Sequence, residues 1–174
     1  MLKRKTTGVR PALALVPPLA PEPSVPSVSF CSHCGERPPA AAAPMPRSRV
    51  CRACGFGLLL ESAETVAPAP GEPFLVLDGS LSVCAVSAAA EELLATRETD
   101  AVNRHITELL VVADAEADDR HNLAAAVTWA ARGDAGTHKV FVRPANTFGI
   151  RLAARIGSCG PQQAALLVFE SPRR

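Results

Sequence analysis

Cys31-Ser32-His33-Cys34-Gly35 and Cys51-Arg52-Ala53-Cys54-Gly55 are two copies of one short pattern, and together they hold four of the six cysteines of the chain. Two Cys-X-X-Cys pairs at this separation can supply four thiolates to one tetrahedral Zn²⁺ ion. A closed shell of four sulfurs is the structural form of a zinc site, because no coordination position is left for water or substrate. The sequence therefore predicts a structural zinc site whose ligands are Cys31, Cys34, Cys51 and Cys54.

The glycine after each second cysteine favours this interpretation. Gly35 and Gly55 can adopt a positive φ at little steric cost, which lets the backbone curl around an ion and brings N–H groups towards the sulfurs. Two redox-active dithiols or two disulfides are the alternatives. A redox pair normally lies on a helix within a thioredoxin-like pattern, and neither pair has such a pattern around it.

Composition sets the limits for the rest of the chain. Its 174 residues are 48% hydrophobic and 20% charged, with a net charge of +1, which predicts one ordinary domain with additional segments. Residues 1–60 carry eight Lys or Arg against two Glu, whereas residues 61–174 carry ten against fifteen acidic residues. No apolar run approaches the ~20 residues that span a bilayer. Four free thiolates imply a reducing compartment, so we expect a cytoplasmic protein.

Proline marks the segments around the predicted zinc site. Residues 1–28 are basic and then rich in Pro, Ala and Leu, which predicts a disordered arm. A secretion signal is the alternative for this arm, but its apolar run Ala12–Val16 is shorter than the roughly 7–15 residues of such signals. We assign residues 29–62 to the zinc module and residues 63–73, with their three prolines, to a linker.

The sequence pattern changes at residue 74, and residues 74–171 predict a domain of strands and helices. Phe74–Asp78 predicts a buried strand, Gly79-Ser80 a turn and Leu81–Val86 the second strand of a hairpin. Ser87 is then a suitable N-cap for a helix. Short helices over 101–112, a longer helix that ends at Gly133, and three strands follow; the predicted strands are His138–Arg143, Phe148–Ile156 and Ala164–Glu170.

Two resemblances follow from these residues. Residues 31–60 resemble a four-cysteine zinc ribbon, with Phe56–Leu60 as the strand that leaves the second cysteine pair. The order of elements after residue 74 resembles the PAS sensor fold, and Phe74–Val83, Ser87–Leu94 and His105–Leu110 are similar to the opening segments of such domains. The expected fold class is thus α+β: a five-stranded antiparallel sheet with short helices on one face, preceded by a small zinc ribbon and the disordered arm.

The PAS resemblance also guides the search for cofactors. Flavin photosensors of this fold need a cysteine in an Asn-Cys-Arg sequence, whereas this chain has Asn103-Arg104-His105. Members that bind haem use a histidine on the long helix, and His121 at its start is more often a solvated residue. We therefore expect neither haem nor flavin, and we expect His33, His105 and His138 to take no part in metal binding.

No catalytic constellation is recognisable in the sequence, because it contains no phosphate-binding glycine loop and no supported nucleophile–base arrangement. We expect a non-catalytic cytoplasmic sensor or regulatory protein for signal transduction. Its PAS-like domain would bind a protein partner, a second copy of the chain or a small ligand, with the zinc ribbon as a docking platform. A nucleic-acid-binding, transcription-associated protein is the alternative, with phosphate contacts from the basic residues Lys3, Arg4, Lys5, Arg47, Arg49 and Arg52.

Overall fold

A computed structural model describes residues 26–38, 49–113, 122–161 and 163–170. Its strands are β1 (Ser27–Cys31), β2 (Leu59–Ala63), β3 (Phe74–Leu77), β4 (Val83–Val86), β5 (Leu110–Val112), β6 (His138–Pro144), β7 (Leu152–Gly160) and β8 (Ala164–Phe169). Its helices are α1 (Ala88–Leu94), α2 (Glu98–Ala101), a 3-10 turn at Ile106–Glu108, and α3 (Leu123–Ala131). No helix within these ranges is long and apolar enough to cross a lipid bilayer.

All eight strands of the described residues belong to one antiparallel sheet that curls into a half-barrel. The path is β1-β2-β7-β8-β3-β4, and β6 pairs with both β7 and β5. Strand β7 is the centre of this arrangement, because one of its edges pairs with β8 while the other pairs first with β6 and then with β2. The hairpin of the cysteine-rich segment is therefore continuous with the sheet behind it.

The predicted five-stranded sheet was wrong, since three further strands complete the sheet. The strands β1 and β2 escaped prediction as sheet partners because both cysteine pairs and residues 39–48 separate them, so no short turn joined them in the sequence. The short strand β5 was interpreted as helix because Ile106, Leu109 and Leu110 lie at helical spacing.

One face of the sheet packs against the helices and forms the larger core. Alternate residues of the central strands point to this side, among them Leu75, Leu167 and Ile156, and α3 covers them with Val127 and other residues of one helix face. Ser87 caps α1 as predicted, since its Oγ accepts a hydrogen bond from Ala90 N. For α3 the cap is Asn122.

The opposite face of the sheet is covered by the cysteine-rich hairpin and the segment that follows it. A second core forms here from Phe30 and Val66 on the hairpin side, and from sheet residues of β3, β7 and β8, namely Phe74, Val76, Cys159, Leu166 and Val168. Both faces of β3 and β8 are thus buried, which explains why their sequences are almost continuously apolar. The rings of Phe30 and Phe74 meet edge to face at 5.6 Å between centroids.

The segment predicted as a linker is held against the sheet by an arginine of β7. Arg155 donates to both carboxylate oxygens of Glu72, at 2.9 and 2.6 Å, and to the carbonyl oxygens of Val66 and Ala67. Both charged side chains are mostly buried. The proposed domain boundaries at residues 29, 63 and 74 stay predictions, and the predicted disordered arm lies almost entirely outside the described residues.

Candidate metal centre

The first cysteine pair lies at the end of β1, where the chain turns tightly. Gly35 N donates to the carbonyl oxygen of Cys31 at 3.0 Å, and Gly35 has the positive φ of +71° that closes such a turn. His33 N points at the sulfur of Cys31, 3.4 Å away. The turn therefore presents the sulfurs of Cys31 and Cys34 on one side and a backbone donor beside them.

The second pair repeats this geometry in front of β2. Gly55 N donates to the carbonyl oxygen of Cys51 at 3.0 Å, again with a positive φ, +73°. Gly57 N approaches the sulfur of Cys54 at 3.5 Å, and Cys51 N donates to Gly57 O at 2.7 Å. The predicted role of the two glycines after the pairs is confirmed, because both have the left-handed backbone that favours glycine.

The two turns bring four sulfurs together. Cys31 Sγ lies 3.6 Å from Cys54 Sγ, Cys34 Sγ lies 3.9 Å from Cys51 Sγ, and all four sulfurs lie within 4.8 Å of one another. A tetrahedral ion with Zn–S bonds of about 2.3 Å separates its ligand sulfurs by about 3.8 Å. The four cysteines are free thiols, and the close contacts join one turn to the other. The group thus has the number, chemistry and spacing of donors that fit a structural metal ion.

Burial and backbone donors affect the individual thiols differently. Burial raises the pKa of the Cys31 thiol to about 12. Hydrogen bonds from the N–H groups of Gly57 and Phe56 lower the pKa of Cys54 to about 6. Burial also raises the pKa of Cys34. A cation that binds all four sulfurs as thiolates therefore has to displace protons, above all the proton of Cys31.

Gly57 is a residue of this site that the sequence interpretation missed. A Cβ placed on it would collide with Cys31 Sγ and would lie 2.8 Å from His33 N. Its role differs from that of Gly55, whose missing Cβ faces open space. The signal was present in the sequence as the second glycine of Cys54-Gly-Phe-Gly57, but only the close approach of the two turns explains it.

Two hydrogen-bond connections fix the turns to each other and to helix α1. Ser32 N donates to Leu58 O at 2.8 Å, and Leu58 N donates to Ser32 Oγ at 3.0 Å. His33 O accepts from Ala88 N, in the first turn of α1, at 2.8 Å. The metal centre is thereby linked to the helix side of the fold as well as to the hairpin.

The histidines and the other two cysteines that the structure describes are not part of the four-sulfur group. His33 contributes its backbone N–H to the site while its ring lies beside that of Phe56, with 6.1 Å between centroids. His105 caps the 3-10 turn, and His138 pairs with Asp134 Oδ2 at 2.8 Å. His121 lies outside the described residues. Cys84 on β4 is exposed and Cys159 on β7 is buried, and these two strands do not pair with each other.

Trp129 of α3 does not belong to the core. It is 44% exposed and rests beside the ring of His138, with 5.5 Å between centroids.

Comparison with known proteins finds likenesses among solved structures. No protein-family model matches the chain, and no curated protein matches it. Among solved structures, the PAS domain of nitrogen regulation protein NR(II) from Vibrio parahaemolyticus is similar, with 17% identity and a TM-score of 0.43, over 59% of this chain and 90% of that chain. At this identity and TM-score the likeness carries no conclusion about the activity of this chain.

Proposed function

We propose that this chain is a non-catalytic regulatory protein of the reducing cytoplasm, in which a structural zinc ion holds a docking platform against a sensor-like sheet. The observation that carries the proposal is the convergence of four thiols from two matched turns. Zinc suits this donor set because four thiolates in tetrahedral array are a common structural shell for that ion. No step of chemistry is assigned to the metal, because a closed sulfur shell leaves no open position.

The sensor half of the proposal rests on the sequence resemblance of Phe74–Val83 and Ser87–Leu94 to PAS domains. The platform half rests on packing. The cysteine-rich hairpin shares a buried core with β3, β7 and β8. We therefore expect a partner or ligand that displaces the hairpin to shift the sheet as well, and the reverse. We expect the protein to act by binding a protein partner, a second copy or a small ligand.

Native mass spectrometry of the protein purified from its own cells tests the proposal. We expect one zinc ion per chain, and the same spectrum reports a retained ligand and the oligomeric state. Replacement of Cys54 by Ser is expected to remove the metal, whereas Cys84→Ser, which changes an exposed thiol outside the site, leaves it bound. A metal-free protein with the four thiols bridged in pairs would contradict the zinc assignment.

The regulatory role has its own test. A pull-down under reducing conditions, together with sedimentation of the purified protein, is expected to show a partner or self-association. If neither is found, the docking function is wrong even where zinc is present.

Nucleic-acid binding is a second candidate, favoured by the exposure of Arg49 and Arg52 beside the second turn. Such binding weakens steeply with salt, because phosphate contacts release counterions. A gel-shift titration at low and high salt, with Arg49→Gln and Arg52→Gln, tests it. The absence of any shift at low salt would rule out this candidate.

A further inference from the structure

A cleft of about 360 Å³ separates the second cysteine turn from the outer face of β3 and β4. We call it the knuckle cleft. Its apolar lining comes from both sides, with Phe56, Leu58 and Leu60 on the hairpin and Val76, Ala85 and Ala164 on the sheet. This volume is within the range of sites that bind small molecules or a few side chains.

The hairpin wall of the cleft is unusually apolar for a surface. Phe56 is 83% exposed and Leu58 is 52% exposed, although both belong to a tight metal-binding turn. Large apolar side chains that stay in water beside a cavity indicate an interaction site rather than a folding requirement. The cleft therefore has room and apolar surface for a ligand with aliphatic groups.

The charge of the cleft is negative. Asp78 and Glu98 line it together with His33, and no Lys or Arg does so among the described residues. Each carboxylate uses one oxygen for the fold: Asp78 Oδ1 accepts from Ser80 and Ser82, and Glu98 Oε1 accepts from Val86 N. Hydrogen bonds from Ser80 and Ser82 outweigh the effect of burial and lower the pKa of Asp78, so it is charged at neutral pH. The matching ligand carries aliphatic groups next to positive charge.

Residues 1–25 of the same chain have this composition. They carry Lys3, Arg4, Lys5 and Arg10 against Glu22, with the apolar run Ala12–Val16. They join the described chain at Pro26, directly before β1. Strand pairing links this point to the rim of the cleft, because Ser27 pairs with Ala63 and the adjacent Ser62 pairs with Cys159. At about 3.3 Å per extended residue, the segment is long enough to reach the cleft.

We propose that the knuckle cleft binds the basic, apolar segment 1–25 of its own chain, and that this docking requires the metal ion. The second part rests on the proposed zinc site. Phe56 and Gly57 directly follow Cys54, and Gly57 is bonded to both Cys51 and Cys54. The wall of the cleft is thus part of the turn that the metal holds in shape, and loss of metal releases the segment.

Carbodiimide cross-linking of the dilute full-length protein tests this inference. The reagent condenses a lysine amine with a carboxylate in contact to form an amide, and takes up the released water as a urea. The map is simple because Lys3, Lys5 and Lys139 are the only lysines of the chain. We expect Lys3 or Lys5 to join to Asp78 or Glu98, and the exposed carboxylates Glu64 and Glu92 serve as internal controls.

Two matched variants and metal removal complete the design. Phe56→Ser leaves both carboxylates in place but removes the apolar wall, and is expected to lower the yield of these links about tenfold. Phe148→Ser changes another highly exposed phenylalanine, 88% exposed and outside the cleft lining, and leaves the yield unchanged. A chelator that strips the metal abolishes the links.

Three results would overturn the inference. They are links spread equally over Glu64 and Glu92, a yield that Phe56→Ser does not change, and links found only between chains in a mixture of ¹⁴N and ¹⁵N protein. The zinc count is measured on the same samples. A zinc-loaded protein without the expected links refutes the docking alone, whereas a metal-free protein refutes the zinc site on which the docking rests.

Discussion

At the scale of single residues, two glycines of the four-cysteine site are needed for different reasons. Gly55 is needed for its backbone conformation, because its φ is positive and its missing Cβ faces open space. Gly57 is needed for its lack of volume, because a side chain there meets Cys31 Sγ. The two positions lie two residues apart in one turn, so substituting each in turn separates the two requirements.

Gly57→Ala is expected to weaken metal binding by about tenfold or more, since relief of the collision has to displace a ligand sulfur. Gly55→Ala is the matched control, and is expected to cost about 1–2 kcal/mol of folding free energy while the four sulfurs keep their positions. Competition with a chromophoric chelator measures the metal affinity of both. Equal affinities would show that the two turns do not approach as closely as described.

At the scale of elements, the ion pair of Glu72 with Arg155 is one of the contacts that hold the segment between β2 and β3. Burial alone would raise the pKa of Glu72, but hydrogen bonds from Arg155 and Ala69 N outweigh it and lower that pKa below its ordinary value of 4.5. The pair is mostly buried, at 15% and 16% exposure. The predicted linker therefore behaves as a fixed part of the fold.

Glu72→Gln is expected to lower the free energy of unfolding by about 1–3 kcal/mol at pH 7, because it removes a charge-assisted hydrogen-bonded pair. Since the folded-state pKa of Glu72 is the lower one, its stabilisation is complete above about pH 4.5 and is lost as the pH falls through the folded-state pKa. Urea unfolding of the wild type and of Glu72→Gln over a series of pH values measures this. The difference between their free energies of unfolding is expected to narrow in acid.

The control for this prediction is Glu170→Gln. Glu170 lies 4.0 Å from Lys139, which is 74% exposed, so the change is expected to cost under about 0.5 kcal/mol. If Glu72→Gln costs as little as this control, the ion pair with Arg155 does not stabilise the segment.

At the scale of the whole molecule, the cysteine-rich hairpin and the sheet share one core. Phe30 is fully buried against Phe74, so Phe30→Ala is expected to cost about 3–5 kcal/mol. The cavity that this truncation leaves lies between the hairpin and the sheet. We therefore expect faster amide hydrogen exchange in β8 as well as in β1. Phe148→Ala, at a site 88% exposed, is the control. Faster exchange confined to β1 and β2 would instead indicate an independent module.

Removal of the metal is expected to destabilise both the cysteine-rich hairpin and the sheet that packs against it. Structural zinc contributes on the order of 10 kcal/mol in small finger peptides, and here the turns also carry Phe30 and the wall of the knuckle cleft. We expect chelation to lower the melting temperature of the whole protein in a single transition. Calorimetry of the loaded and stripped forms measures this; an unchanged main transition would contradict the shared core.

The sequence predicted the local chemistry better than the assembly. The four cysteines, the two positive-φ glycines and the Ser87 cap follow from short-range rules, and the structure places each as those rules require. The eight-stranded sheet does not follow from such rules, because β2 meets β7 through two pairs of residues far apart in the chain. One clue was available: the uninterrupted apolar strands β3 and β8 required cover on both faces.

The pairing of β2 with the end of β7 has a consequence for the synthesis of the protein on the ribosome. Ser62 is made well before its neighbour Cys159, a delay of about 5–20 s at ordinary rates of translation. During that interval all four cysteines of the hairpin are already synthesised, whereas β7 and β8, which contribute to the core around Phe30 and Leu60, are not yet complete. We therefore expect the four-cysteine site to be able to bind an ion before the sheet closes.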